Sequence, residues 1–524
     1  MLTNINHKHL GTIIAILVAI LTTGYLRVYW IPFLPEPDGG LYTHYSQYFF
    51  SALSSGEFIA SNYPIALYSL VTSWVYGLEI NQFIALRWID LCLALTASIL
   101  FFKVIEKESG SLFFSVVTVS ALLLVMNNYS FILFGFRNSI WAAYVPLFLA
   151  LLISQNINNK NHFLFYFIGA LAALGVLIRE PFILFYITAA IAIWFAYGWK
   201  ILVKYLIGSA ILGFTTLFFL IILREGSNPL MLFKNYFYHI NTMGDLADEQ
   251  LVTNFFKHSL IAIKAYWFGI VFSFFSGIYI FKLSLKDKKL VSTNRFFFWL
   301  ALALVPIIET LIKLGFDYHF INCIPGLAGI AAMGWRYASQ YEFSIVKKYV
   351  LGFIIILSIS GVYPNISRTL NLNVYDKKTP VSDAYNQLWD SNYSEIETIR
   401  LSNYLIAADM IKKLSNRGST LATAGFAEVL YPLTGLLPTS YGTMDLRALF
   451  LLLNWDEDKL VNILQEQRPT LIFPTKQQLP GIPNLIRVIQ RTGLYERVAI
   501  VSYSPNVYYK SISGDIFRLK SFNQ

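Results

Sequence analysis

Long apolar runs alternate with short polar stretches over the first 365 residues of the chain. A run of about 20 apolar residues is long enough to cross the hydrocarbon core of a bilayer as an α-helix. The pattern therefore predicts eleven membrane-spanning helices in an N-terminal domain of residues 1–365. They cover residues 11–30, 83–102, 111–127, 139–155, 163–178, 181–199, 203–223, 259–281, 296–314, 319–336 and 349–364.

Two apolar stretches need separate treatment. Residues 11–30 lie where a secretory signal peptide would lie, but the run is too long and leads into Pro-Phe-Leu-Pro rather than a small-residue cleavage site. We therefore predict that it is retained as a spanning helix. Residues 64–78 form a shorter apolar stretch, which we predict to lie at the membrane interface or to pack on the helical bundle.

Basic residues mark alternate loops between the predicted spans, and loops rich in lysine and arginine face the cytoplasm. The N-terminus is then cytoplasmic, whereas the first outer loop (31–82), the loop 224–258 and everything after residue 365 lie outside. The residues assigned to the cytoplasmic side are Lys8, Lys103, Lys107, Lys160, Lys200, Lys204, Lys282, Lys286, Lys288, Lys289, Arg295, Arg336, Lys347 and Lys348.

Residues 366–524 are polar and contain no run that could span a membrane. Helical patterns occur in SNYLIAADMIKKLSN and DEDKLVNILQEQRP, and strand patterns in STLATAG, TLIFPT, RVAIVSYS and VYYKSI. This alternation predicts an extracytoplasmic α/β domain with a core of its own. The domain lacks a P-loop, a GxGxxG motif and a nucleophile elbow, so we predict a recognition or support role for it.

The composition agrees with a polytopic α-helical membrane protein. Of the 524 residues, 56% are hydrophobic and 13% charged, whereas a soluble domain is nearer a quarter charged. Lysine-rich cytoplasmic loops beside anionic lipid explain the net charge of +10. We therefore predict no nucleic-acid partner. The two cysteines lie in apolar runs and the seven histidines are scattered. We therefore predict no disulfide framework, no metal site and no cofactor.

Three predicted outer turns carry ionisable side chains, which are costly at membrane depth and therefore indicate a role. Arg137 lies in FILFGFRNSIW and Arg179 in GVLIREPFILF. Each arginine either snorkels or pairs with an acid, or it clamps a phosphate, whose oxygens match the guanidinium fork. Asp317 and His319 lie in LGFDYHFINCIP, where His319 is either a satisfied interfacial histidine or a substrate contact.

The first span leads into WIPFLPEPDGGLYTHYSQYFF, residues 30–50. Glu36 and Asp38 are carboxylates in this stretch, and the two glycines after Asp38 permit close approach of the backbone to a ligand. Asp38 is either a functional carboxylate or the N-cap of a predicted helix over residues 41–54. The tyrosines at positions 42, 45 and 48 recur at helical spacing, which suits either helix packing or a platform for a sugar.

Several of these elements, in this order, resemble the C-type glycosyltransferases, polytopic enzymes that take a sugar from a polyprenyl-phosphate donor. The most similar branch is that of the bacterial protein-mannosyltransferase and aminoarabinose-transferase relatives. The family pattern has an acid after the first span, then a tyrosine-rich helix, then Gly-x-Phe, Tyr-Pro and Leu-Arg. In this chain the acid is Asp38 and the helix begins near Tyr42. The three dipeptide-like motifs are Gly56 with Phe58, Tyr63-Pro64 and Leu86-Arg87.

Later blocks extend the resemblance over roughly residues 10–200. They are FGFRNSIWAAYVPLFLALLIS and GALAALGVLIREPFILF, with a weaker similarity in DYHFINCIPGLAGIAA. The branch has Asp-Glu after its first span, whereas this chain has Asp38-Gly39, and Glu36 does not align with the second acid.

The resemblance implies an inverting glycosyltransferase of the bacterial inner membrane that acts at the outer face. It implies that a carboxylate, Asp38 or its neighbour Glu36, takes a proton from the acceptor hydroxyl, and that Arg137 and Arg179 stabilise the leaving phosphate. The further candidate substrate contacts are Tyr42, His44, Tyr63, Asp317 and His319.

The implied partners are a polyprenyl-phosphate-linked sugar, an acceptor that is an envelope lipid, glycan or protein, and the membrane lipids. Three alternatives are a polyprenyl-diphosphate-dependent glycan polymerase or ligase, a lipid or solute transporter, and a non-enzymatic envelope assembly protein. A transporter would have inverted repeats and charges on broken helices at the midplane, a symmetry that we do not find in the sequence.

Overall fold

The computed structural model is mostly helical and ends in a small β-sheet. The residues that it describes are 7–30, 46–47, 49–50, 67–78, 82–127, 139–155, 161–222, 251–286, 293–312, 317–340, 354–363, 401–424, 427, 430–439, 456–474, 484–501 and 514–520.

The chain divides into two compact units. Unit 1 comprises Met1–Pro32, Arg87–Phe218 and Gly244–Leu370, and unit 2 comprises Phe33–Leu86, Phe219–Met243 and Asn371–Gln524. The predicted boundary at residue 365 lies close to the last junction, between Leu370 and Asn371. Two earlier segments, which the sequence assigned to the N-terminal domain, group with the C-terminal segment in unit 2.

A described helix coincides with each of the eleven apolar runs and with the shorter stretch 64–78. The helices are α1 (His7–Ala19), α2 (Tyr25–Trp30), α3 (Leu67–Thr72), α4 (Gln82–Ser109), α5 (Leu112–Met126), α6 (Ser139–Ser154), α7 (Leu164–Ile178), α8 (Ile183–Tyr197), α9 (Trp199–Ile222), α10 (Leu251–Lys286), α11 (Thr293–Ile312), α12 (Ile324–Gln340) and α13 (Ile354–Tyr363). A π-turn, Ile20–Gly24, joins α1 to α2.

Three helical stretches are long and apolar enough to cross a membrane: His9–Val28, Ala85–Ser109 and Phe255–Leu285. Other apolar helices of the described chain are shorter, so the count of eleven spans stays a prediction. Large apolar side chains on these helices face outward, and Phe195 and Phe214 are 71% and 72% exposed. Such exposure is typical of helices whose outer faces contact lipid.

The predicted span 319–336 begins differently from its prediction. Residues Asp317–Cys323 form a 3₁₀-helix, and the α-helix α12 begins only at Ile324. Pro325 lacks a backbone N–H and is favoured in the first turn of an α-helix, which fits a helix start at Ile324. Asp317 and His319 are therefore held on a short 3₁₀ segment that precedes the helix.

Small residues bring the helices of unit 1 close together. A Cβ atom on Gly169 of α7 would collide with the carbonyl oxygen of Tyr205 in α9, and one on Gly208 would collide with that of Tyr166. The Ser209 hydroxyl donates to the Gly169 carbonyl at 2.9 Å across the same contact. This small-residue packing is typical of helices that associate within a membrane.

The C-terminal segment of unit 2 is an α/β domain. Its elements are α14 (Leu401–Leu414), β1 (Leu421–Ala424), α15 (Leu430–Thr434), α16 (Glu457–Gln467), β2 (Leu471–Pro474), α17 (Leu485–Arg491), β3 (Tyr495–Val501) and β4 (Gly514–Leu519). The sheet order is β1-β2-β4-β3, with β1 and β2 parallel and the other pairs antiparallel. Leu421, Ile472 and Phe517 are buried in cores against α14, α16 and α17.

The predicted helices and the first three predicted strands of this domain are confirmed. The fourth predicted strand, VYYKSI, lies outside the described residues. The strand that pairs with β3 is β4, which carries the sequence GDIFRL. Asp515 and Gly514 make this segment look like a turn, but its apolar residues fill the core, and tertiary packing outweighs the local signal.

Unit 2 also contains parts of the predicted first outer loop. Residues 46–47 and 49–50 are helical, and α3 continues into a 3₁₀ turn, Ser73–Gly77. The Ser46 and Thr72 hydroxyls lie 3.0 Å apart and share a hydrogen bond. The Gln47 Nε2 donates to the carbonyl oxygen of Leu436 in the C-terminal domain at 3.4 Å.

Candidate functional site

Arg27 of α2 and Asp90 of α4 form an ion pair inside unit 1. Their side chains are 4% and 1% exposed, so both charges are almost completely removed from solvent. The π-turn before α2 changes the angular register of the residues that follow it, and Thr22, Thr23 and Gly24 in this turn are buried. π-turns within helices occur frequently at functional sites.

Polar side chains from three helices surround this pair. The Arg27 Nη1 donates to Asn127 Oδ1 at 3.5 Å, and the Asn127 Nδ2 donates to the Thr23 hydroxyl at 3.1 Å. The Thr23 and Ser98 hydroxyls lie 2.8 Å apart. The guanidinium carbon of Arg27 also lies 5.6 Å from the centre of the Trp141 ring, within cation–π range. We call Thr23, Arg27, Asp90, Ser98, Asn127 and Trp141 the Arg27 cluster.

Tyr144, one turn after Trp141, connects the Arg27 cluster to two other turns of the chain. Its hydroxyl donates to Asn322 Oδ1 at 2.7 Å, in the 3₁₀-helix that also holds Asp317 and His319. Its ring packs edge-on against Phe182 with 5.5 Å between centroids. Phe182 ends the short 3₁₀-helix that begins directly after Arg179. Tyr144 therefore joins the turns that carry three of the predicted site residues.

Arg179 lies where α7 ends. Its backbone N–H donates to the Gly175 carbonyl at 2.9 Å, and its own conformation is extended, so it forms the C-cap of α7. Pro181, two residues later, prevents the helix from continuing. The Arg179 side chain is buried, as is that of His319. The Arg179 turn and the Asp317–Cys323 segment are thus brought to one end of the helical unit, which we call the Arg27 end.

The other predicted site residues lie outside the described residues. They are Glu36, Asp38, Tyr42, His44, Tyr63 and Arg137. Asp317 lies on the described 3₁₀-helix. Among the described residues, no group of His, Cys, Asp or Glu is arranged to hold a metal ion.

Sequence reasoning missed Arg27, Asp90, Asn127, Tyr144 and Asn322. A signal was present for two of them, because Arg27 in TTGYLRVYW and Asp90 in LRWIDLCLA are charged residues within predicted spans. An ionisable residue inside a spanning helix indicates a functional or paired site by default. The amides and the tyrosine had no such signal, since polar side chains of this kind are common near helix ends.

The Arg27 end combines a buried cation–anion pair, a second buried guanidinium at Arg179 and a buried imidazole at His319. Buried guanidinium groups bind anionic oxygens strongly, because little water competes for their N–H groups. The Arg27 charge is neutralised by Asp90, so Arg179 and His319 are the candidate contacts for an anionic ligand at this end of unit 1. No family model matches the chain, and no curated protein matches it.

Proposed function

We propose that the protein is a glycosyltransferase of the bacterial inner membrane. It moves a sugar from a polyprenyl-phosphate donor to a lipid, glycan or protein of the envelope, at the outer face of the membrane. The N-terminus and the loops at the lysine-rich helix ends are cytoplasmic, and the C-terminal α/β domain is extracytoplasmic.

The make-up of unit 2 is the observation that supports this arrangement best. Its three segments, Phe33–Leu86, Phe219–Met243 and Asn371–Gln524, overlap the three stretches that the basic-loop pattern assigns to the outside. Segments on one side of a membrane can form one compact body, whereas segments on opposite sides cannot, because the hydrocarbon core of about 30 Å separates them. The grouping therefore supports a common side for all three.

The reaction we propose is a single displacement. Asp38 accepts the proton of the acceptor hydroxyl while its oxygen attacks the anomeric carbon of the sugar. The bond from that carbon to the phosphate oxygen breaks, and the polyprenyl phosphate leaves with the electron pair. Arg137 and Arg179 stabilise the phosphate charge, and Tyr42, His44, Tyr63, Asp317 and His319 contact the substrates. Attack on the face opposite the leaving group inverts the anomeric configuration.

The burial of Arg179 supports its part in this reaction, because a desolvated guanidinium distinguishes phosphate from water more strongly than an exposed one. The bond from Gln47 to Leu436 supports a role for the C-terminal domain in holding the predicted first outer loop. Gly435, which has φ +76°, allows the turn that presents the Leu436 carbonyl.

Asp38→Asn is the decisive experiment. Asparagine caps a helix about as well as aspartate but does not accept a proton at neutral pH. We expect the Asp38→Asn protein to insert and to bind donor lipid, yet to transfer sugar roughly 10²- to 10⁴-fold more slowly. Transfer is measured by mass spectrometry of lipid-linked sugars and envelope glycans, with and without the gene and with each variant.

Glu36→Gln is the matched control, because it removes the neighbouring carboxylate between Pro35 and Pro37. We expect it to have the milder effect. Loss of transfer in Glu36→Gln alone would assign the base to Glu36 instead. If neither variant changes the envelope glycans, the transferase proposal fails.

A further inference from the structure

A cavity of about 370 Å³ lies between α6, α7, α8 and α11 within unit 1. Most of its wall is apolar, with aromatic side chains at Phe165, Phe182 and Phe298 and small side chains at Ala172, Ala189 and Ala192. Ligand sites typically measure about 300–1,000 Å³ and have apolar walls with a few convergent polar groups. The size and the wall of this cavity both fit that description.

The polar groups of the cavity are gathered at one end. Glu108 of α4 is 1% exposed, and one of its oxygens accepts from Arg295 Nη2 at 2.5 Å and from Nε at 2.9 Å. Gln155 Nε2 donates to the same oxygen at 3.2 Å. The Gln155 Oε1 is buried within the described structure and accepts no hydrogen bond from a described residue. The polar end therefore has an unused buried acceptor beside a charged pair.

This end is open and the other end is closed. Asn294 and Tyr197 line the polar end and are exposed, and the Arg295 side chain is 35% exposed. At the far end Phe182, Phe185 and Leu302 are buried. Tyr197 and Phe182 both line the cavity and lie 15 residues, or about 22 Å, apart along one helical stretch. An elongated apolar chain can thus enter from the Arg295 end.

The charges at the open end favour an anionic head group. Glu108 is the acid of this site, and Arg295 and Arg336 both lie within electrostatic range of it. Positive charge therefore exceeds negative charge among these three groups. Basic sites between helices at the cytoplasmic surface are suited to anionic lipid head groups.

We propose that this cavity binds one acyl chain of an anionic phospholipid, with the phosphate at the Arg295 end. The head-group end of the site lies at the opposite end of α4 from the Arg27 cluster, since Asp90 and Glu108 are 18 residues, or about 27 Å, apart. Its role is to bind a resident lipid of the adjacent leaflet, and none of the residues that line it takes part in the proposed transfer step.

Trp299 provides the test, because it lines the cavity and is buried. The full-length protein is placed in nanodiscs that contain phosphatidylglycerol or phosphatidylcholine with brominated acyl chains, which quench tryptophan on contact. The Trp299 signal is the difference in tryptophan fluorescence between the wild-type protein and Trp299→Phe. We expect brominated phosphatidylglycerol to quench this signal at a lower mole fraction in the bilayer than brominated phosphatidylcholine. Each cationic side chain that contacts the phosphate should lower the required mole fraction by about five-fold.

Two variants of α8 distinguish lipid bound in the cavity from lipid that contacts the outer surface of the helix. Ala192→Phe fills the cavity and should abolish quenching of the Trp299 signal, whereas Ile191→Phe adds bulk to a residue outside the wall that is 49% exposed and should preserve it. Ala172→Leu, on the facing helix, is a second filling variant. Native mass spectrometry of the wild type and these variants counts the retained phosphatidylglycerol and does not depend on Trp299→Phe.

Equal quenching by the two lipids would overturn the assignment of an anionic head group. An unquenched Trp299 signal in the wild type, or equal lipid retention in Ala192→Phe and Ile191→Phe, would overturn the site itself. Activity of the protein does not enter these measurements, so their outcome is distinct from that of the Asp38 experiment.

Discussion

Arg27 and Asp90 form a buried ion pair between α2 and α4, 63 residues apart in the chain. Removing two charges from water is costly, and the pair repays this cost only through its mutual attraction and its further hydrogen bonds. The bond from Arg27 to Asn127 and the Trp141 ring supply part of that compensation. The pair therefore couples the first two long apolar helices at the Arg27 end.

Removing one member of this pair should destabilise the protein severely. Asp90→Asn or Arg27→Gln leaves an uncompensated buried charge, which costs about 3–5 kcal/mol in the free energy of unfolding. Unfolding in mixed detergent micelles measures the loss. Glu106→Gln is the control on the same helix, because it breaks the Lys103–Glu106 pair, whose side chains are 27% and 24% exposed and which is worth about 0–1 kcal/mol. Equal stabilities for the Asp90 and Glu106 variants would contradict the buried pair.

Two glycines of α9 should respond oppositely to alanine. Gly208→Ala forces α7 and α9 apart, because its Cβ would meet the Tyr166 carbonyl, and overpacking of this kind costs about 1–3 kcal/mol. Gly213 has no described atom within 4 Å of the equivalent position. Gly213→Ala should therefore stabilise the helix by about 0.5–1 kcal/mol. Thermal unfolding in mild detergent compares the two, and a stable Gly208→Ala protein would be inconsistent with the close packing.

The two ends of the helical unit should face opposite sides of the membrane. Reporter fusions at Lys107, Lys204 and Lys347 should indicate the cytoplasm, because basic loops are retained there. Fusions after Asn373 should indicate the outside. A cytoplasmic signal from the C-terminal fusions would rule out the proposed topology and with it the outer-face reaction.

If Arg179 holds the donor phosphate, Arg179→Lys should already weaken donor binding. A lysine supplies a point charge but no bidentate fork, and a lost charge-assisted contact costs about 1.5–3 kcal/mol, or roughly 10- to 150-fold in affinity. Binding of a short-chain polyprenyl phosphate to the purified protein measures the change. Arg417→Lys, at an exposed position of the C-terminal domain, is the control. Unchanged affinity in Arg179→Lys would favour the ion-pair or snorkelling interpretation.

The contact between α16 and α17 should loosen in acid. Hydrogen bonding to Arg487 holds the pKa of Glu457 below its ordinary value of 4.5, and Arg491 bonds the same carboxylate at 3.0 Å. Because the folded pKa is lowered, the pair stabilises the contact above the ordinary pKa and is lost as the pH falls through the folded value. Hydrogen exchange of Glu457–Gln467, corrected for intrinsic rates, should therefore increase below about pH 4.5.

Glu457→Gln should remove this pH dependence. Glu466→Gln, on the same helix, is the control, because Glu466 forms no ion pair with a described residue. A pH dependence that survives in Glu457→Gln would show that another carboxylate controls the contact.

Local composition was sufficient to predict the helices of unit 1 and most elements of the α/β domain. A span depends on the length of an apolar run, and the strands LATA and LIFP are short buried runs beside polar turns, so neighbouring residues carry the signal. Pro325 and Pro181 likewise decide local helix boundaries. Strand β4 was not predicted, because GDIFRL becomes a strand only through pairing with β2 and β3.

Tertiary structure alone decided which residues meet. The long apolar helices of unit 1 are apolar on nearly every side, so the sequence does not reveal which face of α4 turns toward α2. The pairing of Arg27 with Asp90, the junction at Tyr144 and the cavity beside Glu108 all depend on that choice. The grouping of the segments 33–86 and 219–243 with the C-terminal segment was also beyond the sequence, because it depends on contacts between residues far apart in the chain. Apolar run length is a property of one segment, whereas a site is a property of several segments packed together.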